Sequence, residues 1–99
     1  MKFINQNIES IKALCKSHYV KTLYAFGSVL TDNFNDQSDV DLLVAFDDIE
    51  LLGYADNYFD LKFSLEDTFK RSVDLIEDKA IINPYFRKSV EKSKHLIYG

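Results

Sequence analysis

A chain of 99 residues, 46% hydrophobic and 28% charged, is long enough for one hydrophobic core and too short for two, so a single domain over residues 1–99 is expected. Sixteen acidic against 12 basic residues give a formal net charge of −4, which excludes the broad basic surface of a stand-alone nucleic-acid binder. One cysteine, Cys15, excludes an intramolecular disulfide, and with neither a signal-like segment nor a membrane-length apolar run the chain reads as a soluble cytoplasmic protein.

In chain order, Ile4, Ile8, Ile11, Leu14 and Cys15 recur at helical spacing and predict one helix over residues 3–18. Residues 20–26, VKTLYAF, are β-branched and aromatic and stop at a glycine, as a strand does. Residues 29–38 combine a short helical turn with a polar loop rich in Asn and Asp. The nearly unbroken apolar run VDLLVAF, residues 40–46, predicts a central strand covered on both faces.

Between about Leu51 and Arg71 there is no proline, and a long helix is expected. Leu51, Ala55, Tyr58, Leu65 and Phe69 form its buried stripe, interrupted by Lys62. Leu52, Phe59 and Phe63 form a second stripe, either more core or a surface for a partner chain. SVDLIE, residues 72–77, is a further short strand. Asn83 as N-cap with Pro84 behind it opens a last helix running to about His95. The fold class is a small α/β (α+β) domain: a mixed sheet of about three to four strands flanked by helices.

Chemistry concentrates in GSVLTDNFNDQSDVDLLV, residues 27–44. Asp39 and Asp41 lie two apart at the start of a strand, so they share a face while Val40 points away. Like charges so placed repel, and a divalent cation would offset the cost. Ligation by oxygen alone suits Mg²⁺ or Mn²⁺ better than zinc. Asp74 sits in the second short strand between Val73 and Leu75, and it joins the same side if the two strands are adjacent. Gly27-Ser28 follows a strand where the chain must turn, offering close backbone approach, a hydroxyl and free amides to a phosphate. A phosphate corner beside paired carboxylates, with a third carboxylate near the attacking group, is a layout for in-line phosphoryl or nucleotidyl transfer.

Gly27-Ser28, ten intervening residues and Asp39-Val40-Asp41 resemble the signature of the DNA polymerase beta-like nucleotidyltransferase superfamily. The short length, the run DLKFSLEDTFKRSVDLIE and the closing helix are similar to its minimal members, the antitoxin half of pairs with a HEPN-domain toxin. The resemblance implies that Gly27 and Ser28 hold the triphosphate of ATP and that Asp39 and Asp41 bind the bridging Mg²⁺ or Mn²⁺. It implies that Asp74 completes the metal site or takes the proton of the attacking hydroxyl. The product would be an AMP ester, formed on a tyrosine hydroxyl of the HEPN partner. Many relatives carry Gly-Ser-Arg-x-Arg-Gly, whereas this chain has Val29-Leu30-Thr31-Asp32 after Gly27-Ser28; Lys62, Lys70 and Arg71 are the candidates to supply the missing charge.

The remaining polar residues read as structural or solvated. His18 and His95 have no metal-ligand spacing, Cys15 lies on the apolar stripe, and Asp47, Asp48 and Glu50 form a solvated loop. Lys88, Lys92 and Lys94 form a solvated face. Two alternatives stay open beside protein adenylylation: a contact-only module that neutralises a HEPN ribonuclease, and transfer to a small molecule, for which no acceptor-holding domain is present. No membrane and no direct nucleic-acid contact are expected, and a homo-oligomer is left open.

Overall fold

The computed structural model describes residues 2–48 and 51–99, the side chain of Leu51 excepted. Helices α1 (Lys2–Gln6) and α2 (Ile8–Ser17) replace the single predicted first helix. They part at Asn7, whose amide bonds back to Ile4 by only three residues while its side chain donates to the Phe3 carbonyl at 3.0 Å. Asparagine competes locally with the helical ladder in this way. The apolar stripe survives the break, since Ile4, Ile11 and Cys15 are all fully buried.

Strand β1 (Val20–Phe26), a 3-10 turn (Gly27–Leu30), β2 (Val40–Phe46), α3 (Leu51–Phe69) and β3 (Val73–Glu77) follow. A second 3-10 turn (Asp78–Ala80), α4 (Pro84–Ser93) and β4 (His95–Tyr98) complete the chain. The sheet order is β3-β2-β1-β4; β1 is antiparallel to both neighbours, and β2 and β3 are parallel across α3.

The last helix ends at Ser93, short of the predicted His95, because residues 95–98 form a fourth strand. That strand covers the free edge of β1 and turns Ile97 into the core. Asn83 caps α4 as expected, accepting from the amides of Tyr85 and Phe86 at 2.9 and 3.1 Å.

Strand β2 is buried on both faces, as its apolar run requires. Val40, Leu42 and Val44 pack under α1, α2 and α3 with Leu23, Leu61 and Leu65. Leu43 faces the other way, joining Phe26 and Val90 beneath α4. Along α3 the buried line is Leu61, Leu65 and Phe69, with Tyr58 partly covered. Ala55, assigned to that line from spacing, is exposed, and Leu61 fills the turn where the expected stripe was interrupted by Lys62. Leu51 and Glu50 lie outside the residues whose side chains are described. Leu52, Phe59 and Phe63 point outward, 95%, 49% and 59% exposed.

Tyr58 donates its hydroxyl to the Leu75 carbonyl and Tyr54 donates to the Glu77 carboxylate, fastening α3 to β3. His18 is buried at the end of α2, with Nδ1 2.7 Å from the Leu14 carbonyl and Nε2 2.6 Å from Asp60, so it is structural as expected. Among the described residues no helix is long and apolar enough to cross a membrane.

Candidate functional site

Parallel pairing of β2 and β3 sets Asp41 beside Asp74, while antiparallel pairing of β1 and β2 sets Asp41 opposite Phe26, the residue before Gly27. Three segments distant in sequence therefore meet at one end of the sheet. Alternation places Asp41 and Asp74 on the face that carries Leu43, under α4. Asp39 lies just ahead of β2, exposed, and Asp74 is exposed on the edge strand; Asp41 is partly buried between them.

The chain leaves β1 with Gly27 at φ +75°, a left-handed conformation that only glycine adopts without strain. A Cβ at Gly27 would collide with the Asp41 carboxylate, so the absent side chain is what admits that carboxylate to the turn. Gly27–Leu30 then forms a single 3-10 turn, closed by Thr31, whose amide and hydroxyl both donate to the Ser28 carbonyl at 2.9 Å. Among the described residues the Ser28 hydroxyl has no protein hydrogen-bond partner.

Burial raises the Asp41 carboxyl above its ordinary range, and the charges of Asp74 and Asp39 push it the same way. Among the described residues none of the three carboxylates has an ion-pair partner. They act on one another electrostatically, yet no three such donors converge among those residues into a preformed metal cage. All-oxygen donors with uncompensated charge fit a hard cation such as Mg²⁺, which keeps several waters and takes one or two carboxylates together with substrate phosphates. They do not fit the closed four-ligand site of a structural zinc.

Position 29, where many members of the resembled superfamily carry an arginine, holds a valine that is only 5% exposed and belongs to the core. The three cations considered as substitutes are otherwise placed. Lys70 is 3.3 Å from Asp67, and Lys62 rides on α3, across the sheet from Asp41 and Asp74. Arg71 donates from Nη1 to the carbonyls of Asn35 and Ser38 at 2.9 and 3.0 Å, and its guanidinium packs against the rings of Phe3 and Phe34. Reasoning from sequence missed this arrangement, since its partners lie more than thirty residues away. The closure by Thr31 was equally missed, although a hydroxyl three residues after Ser28 is a local turn signal.

A cleft of about 370 Å³ lined by Lys21, Phe46, Asp47, Tyr54, Glu77 and Lys79 lies at the opposite end of β2 and β3. It shares no residue with the carboxylate cluster. Asp47 and Asp48 border it and are exposed, as a solvated loop should be.

The sequence profile of the family described as "Polymerase beta, Nucleotidyltransferase" matches residues 9–99. A Methanocaldococcus jannaschii protein named "Putative protein adenylyltransferase MJ1379" is 35% identical over 96 residues, spanning 96% of this chain and 93% of its own. A second from that organism, "Putative protein adenylyltransferase MJ0128", is 38% identical, over 88% of this chain and 84% of its own. Among solved structures, one described as a "putative minimal nucleotidyltransferase" superposes with a TM-score of 0.77 at 28% identity, covering 95% of this chain and 92% of that one. A "tri-AMPylated Shewanella oneidensis HEPN toxin in complex with MNT antitoxin" gives 0.66 at 18% identity, covering 96% and 71%, a likeness of fold.

Proposed function

The chain belongs to the polymerase beta nucleotidyltransferase family, and on that premise we propose that residues 1–99 act as a Mg²⁺-dependent protein adenylyltransferase. AMP passes from ATP to a tyrosine hydroxyl of a HEPN-domain toxin, which makes the chain an antitoxin. The observation that carries this reading is the juxtaposition of Gly27, Asp41 and Asp74: a glycine turn with a carboxylate against its backbone and a second carboxylate in register beside it.

In the proposed reaction Gly27 and Ser28 hold the triphosphate, the serine through its hydroxyl. Asp39 and Asp41 would hold Mg²⁺; when bound, the ion supplies Lewis-acid stabilisation of charge on the phosphate oxygens. The acceptor oxygen forms a bond to the α-phosphorus, the bond from that phosphorus to the bridging oxygen breaks, and pyrophosphate leaves. Asp74, exposed at the sheet edge, either completes that metal site or takes the hydroxyl proton. The likeness to a fold seen in complex with a HEPN toxin supports the partner, and the outward stripe of Leu52, Phe59 and Phe63 leaves apolar surface for one.

A second reading, a contact-only module that neutralises a HEPN ribonuclease, is favoured by the buried Val29 and by the engagement of Arg71 elsewhere. ATP labelled at the α-phosphate separates the two. It is added with Mg²⁺ to lysate of the source cells containing the partner, beside an Asp39→Asn/Asp41→Asn control and a γ-labelled sample. Adenylyl transfer puts label on one protein band from α- but not γ-labelled ATP, and none with the double variant. A blank in every lane leaves the contact-only reading.

A further inference from the structure

Arg71 was considered above as charge for a phosphate, but the structure gives it a different task. Its Nη1 donates to the Ser38 carbonyl, which belongs to the peptide joining Ser38 to Asp39. The next peptide, Asp39 to Val40, donates its N–H to the carbonyl of Ser72 at 3.0 Å. Both peptides flanking Asp39 are thus tied to consecutive residues, 71 and 72, of the segment that runs into Asp74.

We propose that Arg71 is a positioning residue of the carboxylate site, fixing where Asp39 stands relative to Asp41 and Asp74. The proposal rests on the nucleotidyl-transfer reading of that site. The tip of the loop is polar and exposed at Asn35, Asp36 and Gln37, so no core of its own holds it. It is internally wired: Ser38 donates its amide to the Asn35 carbonyl at 3.0 Å, and Gln37 donates its amide to Asn35 Oδ1 at 2.8 Å. Among the described residues, Arg71 is the one side chain from outside the loop that hydrogen-bonds this tip.

The guanidinium itself packs against two rings whose centres are 5.2 Å apart. It lies 4.7 Å from the centre of the Phe3 ring and 4.5 Å from that of Phe34, one ring from α1 and the other from the loop. Both carbonyls are reached by one nitrogen, Nη1, whose direction is set by the planar guanidinium packed over the ring pair; a lysine ammonium carries the same charge but is shorter and has no plane to hold it there. A role through charge alone would be rescued by lysine; a role through geometry would not.

The test compares wild type with Arg71→Lys by three readouts: melting temperature without metal, Mn²⁺ affinity by electron paramagnetic resonance with a non-hydrolysable ATP analogue, and α-label transfer. Positioning predicts that the variant folds and binds Mn²⁺ about tenfold more weakly, as is typical when a group that orients metal ligands is lost. Label transfer should fall in kcat with little change in KM for ATP. Should Arg71→Lys fail to fold, Phe34→Leu keeps both carbonyl bonds, removes one ring, and is expected to weaken Mn²⁺ binding in the same direction. Wild-type Mn²⁺ affinity and kcat in the folded lysine variant overturn the proposal. A wild type that binds Mn²⁺ without transferring label rejects the transferase reading alone, and the Mn²⁺ affinities still decide the role of Arg71. A wild type that binds no Mn²⁺ rejects the metal site, and the proposal with it.

Discussion

The Asp41 carboxylate occupies the space that a side chain on Gly27 would fill: even its Cγ lies only 3.3 Å from where a Cβ would be built. Gly27→Ala must therefore accept left-handed strain of about 1–2 kcal/mol and push Asp41 aside. Melting should fall by roughly 5–10 °C, on the usual conversion for a domain of this size. Any stabilisation by Mg²⁺ and ATP should disappear as well. An alanine variant that melts with the wild type and still responds to Mg²⁺ and ATP would show that the wedge constrains nothing.

Without metal, Asp41→Asn is predicted to be no less stable than wild type at pH 7, because it removes a partly buried charge that Asp74 and Asp39 repel. The pH dependence has a definite sign. The folded carboxyl sits above its ordinary value of 3.8, so the native state holds the proton more tightly than the unfolded chain does. Wild-type stability should thus fall as pH rises from about that value through the raised one, and this component should be missing from the asparagine variant. Urea titrations between pH 4 and 7 read the difference; a variant less stable at every pH would reveal a structural partner for Asp41.

Mg²⁺ and ATP together should raise the melting temperature of the wild type. Ligand at ten times its Kd contributes about 1.4 kcal/mol, which corresponds to more than about 5 °C here. Asp39→Asn/Asp41→Asn should show no shift. Equal shifts in both proteins would place nucleotide binding away from these carboxylates.

Two leucines on α3 set the scale for the core. Leu65 is fully buried and Leu52 is 95% exposed. Leu65→Ala should cost about 2–5 kcal/mol and Leu52→Ala less than about 0.5 kcal/mol, measured by urea unfolding. A large loss at Leu52 would show that its side chain is covered in solution.

Burial pushes the Cys15 thiol up to about 12. Thiolate is then scarce at neutral pH, and the sulfur has no solvent exposure. Iodoacetamide should react only as fast as the domain opens, and the rate should rise steeply in urea. Rapid labelling of the native protein would place Cys15 at the surface.

Much of this was legible in the sequence, and the exceptions share a cause. The apolar run of β2 announced burial on both faces, whereas the expected common face of Asp39 and Asp41 cannot be read from strand alternation, because Asp39 lies ahead of the strand. The residues HLIY gave no comparable signal, because four residues after a lysine-rich helix become a strand only when the open edge of β1 is there to pair with. The stripe of α3 was read through the exposed Ala55, and Lys62 obscured the burial of its neighbour Leu61. Asp74 was identified, but its position beside Asp41 depends on a parallel register that no local pattern encodes. Arg71 illustrates the limit: its two ring partners and two carbonyl partners lie at distant points of the chain.

Strand β3 stands at the boundary of the sheet and is laddered to β2 alone. Its other edge is nevertheless closed: Val73 and Leu75 are 3% exposed in the core, and Tyr54 and Tyr58 of α3 bond to Glu77 and Leu75, so the strand opens only with that core. Asp74 rides on that strand. On heating, adenylyl transfer and the core should therefore be lost in one transition, so that the carboxylate lasts in place as long as the five residues of β3 stay packed.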